Sequence, residues 1–209
     1  MIKYIIFDVD GTILDTESAI LKSLKQVLKE EGREYQSEDL RFALGIPGKE
    51  TLRRLHVQDI ERIHTKWSKA ELALLKEVQL FKDIKEVLHT LSESPLRTGI
   101  VTSKTRQELM DGFELFGISR YFESSICATD TDKHKPHPEP LLACLEELEA
   151  EKDEAIYIGD SIYDLQCAHS AGVKFALAFW GAKKIEGFES ADFLLKEPKD
   201  ILELLKNGG

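Results

Sequence analysis

Apolar residues fall along this chain in two rhythms. Short, mostly apolar runs recur at residues 3–7, 98–102, 125–128, 155–158, 174–178 and 193–195. Between most of them, apolar positions repeat at steps of three and four. Ile84, Val87, Leu88 and Leu91 form one such stripe, and Leu141, Leu142, Leu145 and Leu148 another. Residues 107–116 and 163–171 read the same way, as do Ile201, Leu202 and Leu205 near the end. Runs of this length read as buried strands, and the three-four spacing reads as amphipathic helix. Their alternation predicts βαβ units: an α/β, Rossmann-like parallel sheet with helices on both faces.

The alternation fails in one place. From about residue 15 to 80 the pattern is helical, with no convincing strand. Ile20, Leu21, Leu24, Val27 and Leu28 make a stripe that Gly32 ends, and Ile60, Ile63, Trp67, Ala70 and Leu74 make a second. Between them lie two short helices, broken by Gly45-Ile46-Pro47-Gly48. The expected organisation is therefore a core of residues 1–14 and 81–209 with a small helical domain, 15–80, inserted after the first strand. Such an insertion stands beside the C-terminal strand ends, where open α/β sheets bind ligands.

Composition narrows the partners. Of the 209 residues 42% are apolar, enough for a real core, and the net charge is −10. An acidic chain is a poor match for nucleic acid or anionic membrane, so neither is expected as a partner. Cys127, Cys144 and Cys167 are far apart, without metal-ligand spacing, and are expected as reduced, buried thiols. The chain runs from Met1-Ile2-Lys3 directly into the first strand, and no apolar run approaches the ~20 residues of a membrane helix. A cytoplasmic protein, monomer or homodimer, is expected.

The candidate chemistry sits at strand ends. The first strand runs into Asp8-Val9-Asp10-Gly11-Thr12. If the strand stays extended, Asp8 and Asp10 share one side, and two such carboxylates need a cation or a proton between them. Thr102-Ser103-Lys104 follows the strand at 98–102, and Lys135-Pro136 lies in the loop after the strand at 125–128. Gly159-Asp160-Ser161-Ile162-Tyr163-Asp164 follows the strand at 155–158. A parallel sheet brings these four segments to one crevice.

Taken in this order, the segments resemble the four motifs of the haloacid dehalogenase superfamily of phosphohydrolases, and the resemblance spans essentially the whole chain. It resembles the branch with a helical cap of the C1 type, and Lys135-Pro136-His137-Pro138-Glu139-Pro140 is similar to the phosphoglycolate phosphatases. The resemblance implies a Mg²⁺-dependent phosphatase for a small phosphorylated metabolite. Asp8 would be the nucleophile that forms an aspartyl-phosphate, and Asp10 the general acid–base. Thr102, Ser103, Gly11, Thr12 and Lys135 would hold the phosphoryl group. The implied metal ligands are Asp8, the Asp10 backbone carbonyl, Asp160 and Asp164, the last either directly or through water. Gly45 and Lys49 would lie in the cap loop that reads the leaving group, with Arg53 and Arg54 nearby.

Asp10 argues against dehalogenation, which needs no acid for an alkoxide. Ile20 stands where an ungapped count places the cap histidine of the sugar phosphomutases, which disfavours that alternative. Pyrophosphate hydrolysis is the runner-up. The chain departs from the family at Lys82-Asp83, where Pro-Gly is usual. A reading from another class is a receiver-like domain that accepts a phosphoryl group without turnover. The remaining bland readings are ordinary ones: Thr102 or Asp160 as helix caps, Lys135 as a surface lysine, and charged turns around Lys49.

Overall fold

The computed structural model describes residues 1–208; Gly209 and the side chains of Glu114 and residues 205–208 lie outside the described residues. Six strands form a parallel sheet: β1 (Tyr4–Phe7), β4 (Arg97–Val101), β5 (Ser124–Ile126), β6 (Ala155–Gly159), β7 (Lys174–Ala178) and β8 (Phe193–Leu195). Their spatial order is β5-β4-β1-β6-β7-β8, so β1 is central and the order reverses beside it. All five pairings are parallel, with Phe7 opposite Ile100 on one side and Ile158 on the other. The strand ends after β1, β4 and β6 therefore lie side by side.

Strand period decides which face each residue serves. Ile5 and Phe7, with Ile156 and Ile158, pack into one core with helices α4 (Ile84–Ser92) and α5 (Arg106–Phe116). Ile6 and Tyr157 point the other way, into a second core with α6 (Glu139–Glu147) and α7 (Ile162–Ala171). Burial on both faces explains why these strands read as continuous apolar runs rather than alternating ones.

The helical stretch has a core of its own. Helices α1 (Glu17–Glu30), α2 (Gly48–Arg54) and α3 (Ile60–Ala73) bury Leu24, Leu28, Leu40, Leu52, Ile63 and Trp67 together. The Trp67 indole Nε1 donates to Ser23 Oγ at 3.0 Å, so its polar edge is satisfied inside this cluster. The two junctions differ from the sequence expectation. Leu14–Asp15 (β2) and Gln79–Leu80 (β3) pair antiparallel, a two-residue ribbon tying the exits of the helical unit together. Two residues are too few to show a period, so this ribbon is invisible to pattern. A four-residue helix, α8 (Phe179–Ala182), also follows β7 where none is predicted.

The Lys82-Asp83 departure has a structural correlate. Asp83 is the residue before α4 and adopts a left-handed backbone, φ 67°. Glycine carries that conformation without cost, whereas an L-residue does not. Among the described residues, no helix is long and apolar enough to cross a membrane, and the three cysteines are free and buried.

Candidate active site

Strand β1 stops at Phe7, one residue before the first aspartate. The chain then closes a tight turn, with the Ile13 and Leu14 amides bonded to Val9 O at 2.8 and 2.9 Å and the Gly11 amide to Leu14 O at 2.8 Å. Asp10 is therefore placed by the turn rather than by strand alternation. The two aspartates face one cavity and have different partners.

Asp8 keeps the facing of Ile6 and meets the residues above the second core. Lys135 Nζ donates to Asp8 Oδ1 at 2.8 Å and to Asp164 Oδ1 at 2.7 Å. Both carboxylates and the ammonium are almost wholly buried. The Tyr157 hydroxyl lies 3.1 Å from Lys135 Nζ, 3.0 Å from Asp164 Oδ1 and 2.9 Å from Val101 O. Asp164 Oδ2 accepts from the Ser161 amide at 3.0 Å and hydroxyl at 2.6 Å, a capping box that starts α7. Asp164 Oδ2 is thus held by Ser161, while Oδ1 faces the Lys135 ammonium and the Tyr157 hydroxyl, whose single proton has Val101 O as its other acceptor.

The cluster holds the carboxylates of Asp8, Asp160 and Asp164 against one ammonium. Burial pushes the Asp8 carboxyl up to about 7, against the pull of Lys135. Burial also raises Asp160 well above the ordinary carboxylate range, and the charges of Asp8 and Asp164 add to it. Burial opposes the charge on Lys135, yet Asp164 and Asp8 outweigh it and hold the ammonium above its ordinary value. Burial, reinforced by the same carboxylates, keeps Tyr157 a neutral hydroxyl.

The donor set fits a hard divalent cation. One oxygen from each of Asp8, Asp160 and Asp164 lies within 4.8 Å of the others. Asp8 Oδ2 is buried without a hydrogen-bond partner, the kind of orphan that a cation or a phosphoryl group satisfies. The backbone packs closely around Asp160. A side chain at Gly11 (φ 77°) would strike the Asp160 carboxylate at 2.1 Å, and one at Gly181 would strike Gly11 O at 1.7 Å. Thr12 Oγ1 donates to Asp160 Oδ1 at 3.4 Å, and Trp180 Nε1 donates to Thr12 O at 3.0 Å.

Asp10 turns to Lys104, whose Nζ is 3.3 Å from Asp10 Oδ1 and 2.8 Å from Glu71 Oε1 on α3. Burial again opposes the ammonium, and Asp10 and Glu71 outweigh it. Asp8, Asp10, Ser103 and Lys104 share a cavity of about 50 Å³ with Gly45, Ile46, Trp67 and Glu71 of the helical unit. Gly45 (φ 93°) leaves no room for a side chain, since a Cβ there would approach Ser161 Oγ at 2.6 Å. Ser103 Oγ donates to Gly45 O at 2.9 Å, so this hydroxyl holds the loop of the helical unit. Thr102 is buried, and its Oγ1 accepts from the Lys104 amide at 3.2 Å.

Lys49 is not brought to this cavity. It pairs with Glu61 at 2.7 Å and lines a neighbouring groove. Arg53 pairs with Glu50 at 3.4 Å, and Arg54 bonds the Tyr163 hydroxyl at 2.9 Å. Sequence reading gave no role to Tyr157, Glu71 or Gly181, and left Lys104 as a motif neighbour. Tyr157 had one available signal, a hydroxyl inside an otherwise apolar central strand. Glu71 had none, because its meaning depends on how α3 lies against the sheet.

Residues 5–178 match the haloacid dehalogenase-like hydrolase family. The chain is 34% identical over 209 residues to a candidate pyrophosphatase PpaX of Caldanaerobacter subterraneus subsp. tengcongensis, covering 98% of this chain and 95% of that protein. It is 30% identical over 211 residues to the pyrophosphatase PpaX of Bacillus cereus, covering 99% and 97%. Among solved structures, a candidate phosphoglycolate phosphatase from Lactobacillus plantarum superposes with a TM-score of 0.90 at 28% identity, covering 98% of this chain and 99% of that one. A hydrolase match of this extent sets aside the receiver-like reading, and the strand-end cluster it encloses is the one built above from the segments after β1, β4, β5 and β6. The chain belongs to the haloacid dehalogenase-like hydrolase family and is an enzyme.

Proposed function

We propose that the protein is a Mg²⁺-dependent phosphatase of small phosphorylated metabolites, working through an aspartyl-phosphate on Asp8. The observation that carries this reading is the state of Asp8. One carboxylate oxygen is anchored by Lys135, and the other is buried and unpartnered in a residue that lines the cavity.

Phosphate monoesters are so inert that enzymes supply rate factors up to ~10²¹, and a carboxylate nucleophile divides the task into two displacements. The Asp8 oxygen attacks phosphorus while the bond to the leaving oxygen breaks, and Asp10 gives that oxygen a proton. Asp10 then takes a proton from water as the water oxygen attacks phosphorus, releasing phosphate and restoring Asp8. Lys104, 3.3 Å from Asp10, keeps its carboxylate oriented. Lys135 offsets the charge of Asp8 and fixes the attacking group in line. Thr102, Ser103, Gly11 and Thr12 lie around the phosphoryl site in this reading. Asp8, the Asp10 carbonyl and Asp160 would hold Mg²⁺, which supplies charge neutralisation between carboxylate and phosphoryl oxygens. Asp164, paired with Lys135 and bonded by Ser161, would act by holding Lys135 and the start of α7. The helical unit 15–80 serves as a cap over the cavity.

Phosphoglycolate is the substrate type supported by the motif resemblance and by the Lactobacillus plantarum structure. Pyrophosphate is the second reading, supported by the PpaX relatives. Ile20 in the cavity wall, where the mutases carry a histidine, favours hydrolysis over transfer between sugars. The test is phosphate release from a panel of phosphomonoesters and pyrophosphate, with and without Mg²⁺, by wild type and Asp8→Asn. Wild-type turnover that requires Mg²⁺ and vanishes in the variant is expected. Normal turnover by Asp8→Asn would overturn the nucleophile assignment.

A further inference from the structure

The cavity is lined by the carboxylates of Asp8, Asp10, Glu71 and Glu108, with Lys104 as the ammonium among its lining residues. Lys135 stands behind Asp8 and is committed to Asp8 and Asp164. Lys104 is differently placed. It belongs to the loop after β4, yet its shortest ion pair, 2.8 Å, is to Glu71 across the cleft on α3. Glu71 also borders the adjoining groove of about 430 Å³, which shares His64, Ser68, Glu71, Lys104 and Glu108 with the cavity. Glu71 thus stands where the cavity opens into the groove.

We propose that Lys104 is the seat for a second anionic group on the leaving side of the substrate, and that Glu71 is the resident counter-ion this group displaces. The proposal rests on the phosphatase reading above, in which Asp10 protonates the leaving oxygen. Lys104 lies 3.3 Å from that acid, so a group bonded to the leaving oxygen falls beside Lys104. A carboxylate or phosphate there replaces Glu71 like for like. The ammonium stays paired in both states, so no buried charge is left without a partner. A neutral alcohol offers no such exchange: Glu71 stays in place and occupies the space. Glu71 thus acts as an electrostatic filter for doubly anionic substrates, whether carboxylate-bearing or diphosphate.

The experiment compares two unreactive probes in the presence of Mg²⁺, phosphonoacetate and methylphosphonate, which differ by a carboxylate. Calorimetry gives the ratio of their dissociation constants for wild type, Glu71→Gln, Lys104→Met and the double variant. A charge-assisted contact freed of its competitor corresponds to a preference for phosphonoacetate about tenfold higher in Glu71→Gln. Lys104→Met brings the ratio near unity, and Glu71→Gln then adds nothing in that background. An equal gain for both probes, no gain, or the same gain without Lys104 would overturn the proposal. Failure of the wild type to hydrolyse any phosphomonoester or pyrophosphate would overturn the phosphatase reading alone, because the probe ratios need no turnover.

Discussion

Replacing Lys135 by Met removes the ammonium that holds Asp8 and Asp164 together while keeping most of the buried chain length. Its Nζ lies 2.8 and 2.7 Å from the two carboxylates. At an effective dielectric constant of about 20, each contact carries roughly 6 kcal/mol of attraction. Desolvation of the ammonium cancels much of that, and breaking a buried pair from one side costs about 3–5 kcal/mol. For a chain of this size the loss lowers Tm by about 10 °C. The pH dependence gives a sharper signature. Burial pushes the Asp8 carboxyl up to about 7 in the folded protein. That lies above its value in the unfolded chain, about 3.9. The folded state therefore holds an extra proton between those values, and stability falls as pH rises through this window. Without Lys135 the folded value climbs further, and a proton on Asp8 takes over part of the ammonium's role at low pH. The expected Tm loss in Lys135→Met is about 10 °C at pH 8 and about half that at pH 5.5, followed by circular dichroism in EDTA. A loss under 2 °C at pH 8, or an equal loss at both pH values, would refute the electrostatic account of this cluster.

Asp10→Asn should slow esters with poor leaving groups by about 10²–10⁴ and p-nitrophenyl phosphate far less, since the phenolate needs no proton; equal losses would remove the acid role. Mg²⁺ should bind more weakly as pH falls below 7, because a proton on Asp8 competes with the cation. Calorimetry at pH 6 in buffers of different ionisation enthalpy should register proton release, and a pH-independent affinity between 5.5 and 8 would contradict it. Asp83→Gly should raise stability by about 0.5–1 kcal/mol by relieving the left-handed backbone at φ 67°, partly offset by loss of the 3.7 Å Lys199 pair. A lower Tm in that variant would show that the backbone strain is not the dominant effect.

Much of the sheet was legible because each central strand is buried on both faces, which leaves uninterrupted apolar runs such as Ile5-Ile6-Phe7 and Ile156-Tyr157-Ile158. The helical unit was legible from the three-four spacing of Leu24, Val27 and Leu28 and of Ile63 and Trp67. The ribbon of Leu14–Asp15 with Gln79–Leu80 was not, since a pair of two-residue strands has no period to read. The site divides along the same line. Asp8, Lys135, Asp160 and Asp164 lie in motifs whose order and spacing reflect strand ends, so the chain alone predicts that they converge. Chain spacing carries no information about partners drawn from different elements. That Asp8 pairs with Lys135 while Asp10 pairs with Lys104, and that Ser103 bonds the Gly45 loop instead of standing free, depends on the turn after β1 and the seat of the helical unit.

The sheet, the helical stretch and the strand-end motifs that carry Asp8, Lys135, Asp160 and Asp164 are readable from the chain, because hydrophobic period and motif order are local properties of it. Tertiary structure alone decided how those charges are satisfied. Charge pairing acts over a few ångströms of space, whatever the distance along the chain, and Glu71 meets Lys104 from 33 residues away only because the fold brings α3 against the loop after β4.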